Sequence, residues 1–268
     1  MEKKLNLSII LPIKSTLAKD FDTYFESAIK SLTIQKTTFN ELIIVHTNEE
    51  SLVNKLQSFD FGTLNVKLVE HTGTPNYQSQ ITLGIENSTS EWISFFEFDD
   101  EYANIWFDNV LKYSKIYPDV DAFLPIVVDV DSKDTFAGFT NEATFAANFT
   151  QEMGYLNNET LLDYQNFQTA GMVIKKEKLV DFGGFKPSIK LTFVYEFLLR
   201  MSYNSLRIMT IPKLGYKHTS MREGSIFWNY KNGDDVMTEH EVKFWISTAK
   251  KEYFFKDDRN IKYEVQNA

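Results

Sequence analysis

The first hundred residues alternate between two incompatible patterns, and that alternation restricts the fold more than any other feature. "LNLSIILPI" (5–13), "ELIIVH" (41–46), "LNVKLVE" (64–70) and "EWISFFEF" (91–98) are mostly continuous apolar runs. Runs of this length without polar alternation suit strands covered on both faces. Between the first two, Phe21, Tyr24, Phe25, Ala28, Ile29 and Leu32 step by three and one, which is one face of a helix, with Asp20 as its expected N-cap. "EESLVNKLQSF" (49–59) and "YQSQITLGIENS" (77–88) read as the next two helices. Strand–helix alternation with short connections predicts an α/β fold with a mostly parallel sheet and helices on both faces.

The second half continues less regularly. A helix is expected over 104–118, closed by Pro118, then a strand over 121–130. Residues 132–168 are polar and aromatic with weak periodicity, and suit a lid or acceptor loop. Strand-like order returns over 170–179, a helix over 191–203, a strand over 207–218 and a last helix over 239–255. No linker or repeat interrupts the chain, so one domain over 1–268 is expected, with halves near 1–131 and 132–268.

The fourth run ends in "FFEFDDEY", where Glu97, Asp99 and Asp100 crowd together. In parallel sheets, ligands bind outside the carboxyl ends of strands. Carboxylates this close share a dry site only if something positive neutralises them. Hard divalent cations accept oxygen ligands and also bind phosphates. The other reading is a solvated turn ahead of a helix, where acids are favoured anyway.

Several classes are excluded or disfavoured. The chain has no cysteine, which removes disulfides, thiolate sites and cysteine nucleophiles and suits a reducing compartment. The net charge is −9 with no basic run, against a duplex nucleic-acid binder. No Gly-x-Gly-x-x-Gly follows the first strand, and no phosphate-loop lysine motif or Gly-x-Ser-x-Gly elbow is present. The start is read as a buried strand, not a leader, and no apolar stretch is long enough to span a membrane. A cytoplasmic protein is expected.

The order of these pieces resembles the family 2 glycosyltransferases of the GT-A fold. The matching segments are "LSIILPI", then "LGIENSTSEWISFFEFDDEY", then "AGMVIKKEKLVDFGGFKPSIKLTFVYEFLLR", within about residues 5–220. By that resemblance Glu97 and Asp99 stand at the Asp-x-Asp carboxylates and hold Mn²⁺ or Mg²⁺ against the diphosphate of a nucleotide sugar. His218, in "YKHTS", is the expected additional metal ligand, or else a surface histidine. Asp100 would lie beside the metal, near the sugar or the acceptor. Pro12, Ile13, Lys14, His46, Thr47 and Asn48 would line the base and ribose, Lys14 otherwise being a solvated loop lysine. The implied reaction is inverting transfer from a UDP-sugar to an acceptor hydroxyl.

Two departures stand out. "HTNEE" replaces the acids expected after the second strand. Phe193 and Val194 occupy the places of a Glu-Asp pair that supplies the general base. Glu196 is the remaining acid there and is nominated as base, with Asp100 or Asp163 in reserve. Its other reading is an i,i+4 partner of Arg200. Loss of catalysis, leaving a binding or scaffold module, and a nucleotidyltransferase are the alternative functions. The acceptor stays open among glycan, lipid-linked sugar, protein and modified DNA base. The wording around "FFEFDDEY" is also similar to glycosyltransferases of tailed bacteriophages, which would place the protein in a host cytoplasm.

Overall fold

A computed structural model describes residues 3–16, 20–142, 155–163 and 165–251. The strands are β1 (Leu7–Ile13), β2 (Glu41–His46), β3 (Val66–Glu70), β4 (Trp92–Phe95), β5 (Glu101–Tyr102), β6 (Ala122–Val130), β7 (Phe136–Thr140), β8 (Tyr155–Leu156), β9 (Val173–Lys175) and β10 (Ile208–Thr219). The helices are α1 (Phe21–Thr33), α2 (Glu50–Ser58), α3 (Tyr77–Asn87), α4 (Trp106–Ile116), α5 (Asn158–Asp163), α6 (Lys176–Phe182), α7 (Phe193–Tyr203), α8 (Ile226–Asn232) and α9 (239–251). The end of the expected last helix and the C-terminal tail lie outside the described residues, as do 143–154 within the expected lid.

The sheet runs β3-β2-β1-β4-β9-β6-β10-β5, with β7 on β6 and β8 on β10. Strands β1 to β4 pair in parallel, as do β6 and β10. The sheet is mostly parallel, as expected, but mixed: β9 runs antiparallel to both β4 and β6, and β5, β7 and β8 add short antiparallel pairings. A parallel neighbour requires a crossover, usually helical. Here β7 folds straight back on β6 instead. The turn is held by the Asp131 carboxylate, which accepts from the amides of Lys133 and Thr135.

Helices cover both faces, and β1 shows why its run is continuous. Leu7, Ile9, Leu11 and Ile13 join the core beneath α1, α2 and α4. Ile10 points to the other core, with α3, α7 and α9. Alternate residues thus face opposite apolar layers, as strand geometry requires. Asp20 stands at the start of α1, but in a left-handed conformation and without a side-chain cap bond.

Helix α3 is fastened to the sheet at several points along its length. Asn76 and Ser79 form a capping box at its start. Further along, the Gln80 side chain donates to the carbonyls of Ile13 (3.1 Å) and Val45 (2.9 Å), tying α3 to the carboxyl ends of β1 and β2. The helix approaches so closely at Gly84 that an added Cβ would lie 2.4 Å from Ile10 Cγ2. Gly84→Val is expected to destabilise the protein by about 1–3 kcal/mol through overpacking. A urea midpoint equal to wild type would show that α3 is not seated on β1 in this way.

Candidate functional site

A cleft of about 1390 Å³ opens where β1, β4, β6 and β10 end. Strand β4 stops at Phe95, short of the expected 98, and the chain turns through the acidic segment. Aromatic anchors hold this turn. Phe96 packs on Tyr102 (4.8 Å between ring centroids), and Phe98 packs on Phe21 (4.9 Å). Phe96 is buried in the core, while Glu97, Phe98 and Asp99 line the cleft, Phe98 also packing against the core. The Glu97 amide donates to the Tyr216 hydroxyl (3.3 Å), and Gly171, at φ 69°, gives Tyr216 the room to lie there.

The charges of the turn are met from the end of β10. Asp100 is fully buried and accepts from the Thr219 amide (2.8 Å); His218 Nδ1 lies 3.1 Å from both its oxygens. The Thr219 hydroxyl donates to the Asp99 carbonyl (2.6 Å). Arg222 Nε donates to the Asp99 carboxylate, and its guanidinium lies over the Phe98 ring at 4.7 Å.

Negative charge remains in excess. Burial, with Asp100 beside it, pushes the Glu97 carboxyl up to about 8. Burial and Asp100 also raise Asp99, against the pull of Arg222. Burial disfavours a charged His218, yet the Asp100 carboxylate overrides this and lifts the imidazole to about 10.

Three carboxylates and an imidazole are a donor set that suits a hard divalent cation in kind, and their surplus charge calls for one. In position they are not assembled for it: among the described residues no three such side chains converge on one point. Arg222 and His218 supply positive charge there instead. Arg222 occupies one oxygen of the Asp99 carboxylate.

The other expected residues divide. Pro12 and Lys14 line the cleft, joined by Ser15, Tyr77 and Gln80. Ile13 does not: its side chain is in the core, and only its carbonyl, held by Gln80, faces this end. His46, the last residue of β2, and Thr47 and Asn48 after it lie outside the cleft lining. His46 Nδ1 lies 2.8 Å from the Thr47 carbonyl, and the Thr47 hydroxyl donates to the Lys14 carbonyl (2.8 Å).

Neither nominated catalytic acid reaches the cleft. Asp100 is buried behind His218, and the Asp163 side chain lies outside the described residues. Glu196 is 2% exposed and is held by Arg200 (2.9 Å) and Lys186 (2.7 Å). Arg200 in turn donates to the carbonyls of Phe182, Gly183 and Gly184, so the pair clamps the loop before α7. Burial opposes ionisation of Glu196, but Arg200 and Lys186 prevail and keep it below its ordinary value. At the start of α7, Phe193 and Val194 do line the cleft.

The sequence reading missed Asp129 and Arg222. Asp129 lines the cleft near the end of β6, beside His218 in the sheet register, with its carboxylate accepting from Thr140 Oγ1 and Gln168 Nε2 (3.2 Å). Its signal was present: "IVVDV" ends an apolar strand in a carboxylate, as "FFEFDD" does. Arg222 carried no such signal, because its partner lies 123 residues away.

No family model matches the sequence, and no curated protein does. Solved structures do. S. aureus TarS 1–349 superposes with a TM-score of 0.59 at 16% identity, covering 92% of this chain and 70% of that one. The same fragment in complex with UDP-GlcNAc gives 0.59 at 16% identity, over 95% and 72%. A mannosyltransferase from Pyrobaculum calidifontis, in complex with GDP-Man and Mn²⁺, gives 0.58 at 16% identity, over 84% and 59%. The chain therefore has the GT-A glycosyltransferase fold. Nothing in these likenesses bears on a bacteriophage origin.

Two measurements test the electrostatics. Glu97 and His218 have folded values above their ordinary 4.5 and 6.5, so the stability they contribute is complete below those values and is lost as pH rises through about 8 and about 10. The cation-free protein is expected to lose stability on going from mildly acidic to alkaline pH, and Glu97→Gln to flatten the part of that loss below about 8. An unchanged profile in the variant would refute the assigned burial. Glu196 has the opposite sign, its stability being lost as pH falls. Glu196→Gln should cost about 3 kcal/mol at neutral pH, as breaking a buried pair does, while ligand-induced thermal shifts persist.

Proposed function

We propose that the protein transfers a sugar from a nucleotide sugar, a UDP-sugar first, to an acceptor hydroxyl with inversion. The observation that carries this reading is the crowded carboxylate turn, with Glu97 and Asp99 lining a cleft at the carboxyl edge of a GT-A sheet. The TarS fragment has been seen with UDP-GlcNAc and the mannosyltransferase with GDP-Man and Mn²⁺, which names the donors to test first.

In this reading the end of β1 and the start of α3 receive the nucleotide, with Lys14 and Gln80 as polar contacts. Glu97, Asp99 and His218 would hold Mn²⁺ or Mg²⁺, which when bound supplies Lewis-acid charge at the diphosphate. Asp100, on Nδ1, fixes the ring and leaves its other nitrogen for a ligand, as a carboxylate behind a metal-binding histidine does. Arg222 releases Asp99 and places its guanidinium on the diphosphate, a partner whose geometry it matches. The base is Asp129 rather than Glu196 or Asp100, because Asp129 faces the cleft with its carboxylate oriented by Thr140 and Gln168. It accepts the acceptor's hydroxyl proton as the oxygen attacks the anomeric carbon, whose bond to the diphosphate oxygen breaks on the opposite side so that the nucleoside diphosphate leaves with that electron pair.

A second reading has its own support. Apolar Phe193 and Val194 face the cleft where the family carries acids, as a nucleotide-sugar-binding module without turnover would allow.

Both readings are tested by thermal shift with nucleoside diphosphates and nucleotide sugars, with and without Mn²⁺, followed by donor turnover. A metal-dependent shift is expected in wild type and its loss in Asp99→Asn, since a ligand of the native state raises apparent stability. Asp129→Asn should keep the shift and lose about 10²–10⁴-fold in turnover. No shift with any nucleotide would end the donor-site reading. A shift without wild-type turnover would select the binding module.

A further inference from the structure

The loop that leaves β1 is held by the loop that leaves β2. The two strands keep register as far as Ile13 and His46, where the pairing ends. Residues 14–16 are then fastened by side chains of the segment 47–51. The Thr47 hydroxyl donates to the Lys14 carbonyl (2.8 Å). Glu49 Oε1 accepts from the Thr16 hydroxyl (2.8 Å), the Thr16 amide (3.4 Å) and the Ser51 hydroxyl (2.5 Å). The Ser15 side chain bonds the same carboxylate. Glu49 is the N-cap residue of α2, yet its side chain makes no cap bond. An N-cap side chain ordinarily accepts from the first turn of its own helix. This one is turned to the neighbouring loop instead. Hydrogen bonds, those of Ser15 and Ser51 first, hold its carboxyl down at about 2 against the opposing effect of burial, so it is an acceptor throughout the neutral range. Lys14 and Ser15 line the cleft, whereas Thr47, Glu49 and Ser51 stand outside its lining.

We propose that Glu49, assisted by Thr47, is a positioning residue for the nucleotide, fixing from outside the cleft the loop that presents Lys14 and Ser15 within it. This rests on the reading above, in which the end of β1 receives the nucleotide. A loop that becomes ordered only as its ligand arrives loses affinity to that ordering. Bonds from 47–51 order residues 14–16 beforehand, so Lys14 and Ser15 meet the ligand in one geometry. The segment "HTNEE" then has a role although it does not reach the cleft: it acts through the neighbouring loop. The donors gathered on Glu49 are an amide and hydroxyls, all neutral. A glutamine carbonyl oxygen can accept from such donors, and an alanine cannot.

The test is titration calorimetry of the full chain with UDP and with GDP, each in the presence of Mn²⁺. For whichever nucleotide wild type binds, Glu49→Ala is expected to raise Kd about tenfold. Glu49→Gln should stay within about twofold of wild type, a rescue that follows from the neutral donors. Adding Thr16→Val to Glu49→Ala should weaken binding no further, because residues that share one interaction are not additive. Thr47→Val leaves Glu49 in place and should raise Kd about threefold, the effect of one hydrogen bond, which keeps the test open if Glu49→Ala does not fold. Wild-type affinity in folded Glu49→Ala or in Thr47→Val, no rescue by Glu49→Gln, or additive losses with Thr16→Val would each overturn the inference. A lowered urea midpoint with affinity unchanged would show a seam that is structural only. The two failures are distinguishable. If wild type binds a nucleotide and the variants match it, the positioning role alone falls. If wild type binds neither nucleotide, the donor-site reading falls and this inference with it.

Discussion

Burying Glu97, Asp99 and Asp100 at the mouth of a strand is the constraint to which the surrounding structure answers. Carboxylates removed from water need charge or hydrogen bonds in return. The neighbouring Phe96 and Phe98 are apolar and provide neither. Compensation comes from the end of β10, at separations of 118 to 123 residues. That explains the length of β10. Its first residues pair with β6 and β8 deep in the sheet, and its last, after register shifts, reach the acidic turn. The same strand pairs β5, directly after the turn, so both sides of the acidic segment are fixed to one element.

Much of this architecture was legible because burial on two faces is a local signal. The runs at β1, β2 and β6, and the helical spacing of α1, needed no knowledge of neighbours. Strand direction was not legible, because a three-residue strand such as Val173–Lys175 reads the same whichever way it runs. β9 runs antiparallel to both of its neighbours, β4 and β6. At the site, residues adjacent in sequence were found and residues adjacent only in space were not. Glu97 and Asp99 announce themselves together, whereas Arg222 joins them through a contact with no periodic trace. Glu196 and Arg200 show the converse: their i,i+4 spacing was visible, and it describes the pair the structure contains.

The start of α7 shows how the departures fit together. Phe193 packs with Tyr77, Phe185 and Phe227, so this turn of helix is an apolar wall between the core and the cleft. One turn later Glu196 is committed to Arg200 and the loop at 182–184. An acid at position 193 would sit against aromatic rings, which burial penalises. Asp129 faces no such obstacle. It lies near the end of a strand paired on both sides, and two side chains from the next hairpin and loop orient its carboxylate.

The position of Arg222 then has a physical rationale. In the absence of ligand, the cluster would have to take up protons or repel itself, as the raised values of Glu97 and Asp99 indicate. A stacked guanidinium relieves part of that repulsion. Apart from Asp99 and the Phe98 ring, its hydrogen bond is to the Glu223 carbonyl, so it can move without disturbing the sheet. Under the proposed reaction, a diphosphate entering beside it brings new negative charge and accepts several hydrogen bonds at once. Transfer of the guanidinium to the phosphate would free the Asp99 carboxylate as a divalent cation arrives. Positive charge added and negative charge added then rise together, and the turn is never left with three bare carboxylates.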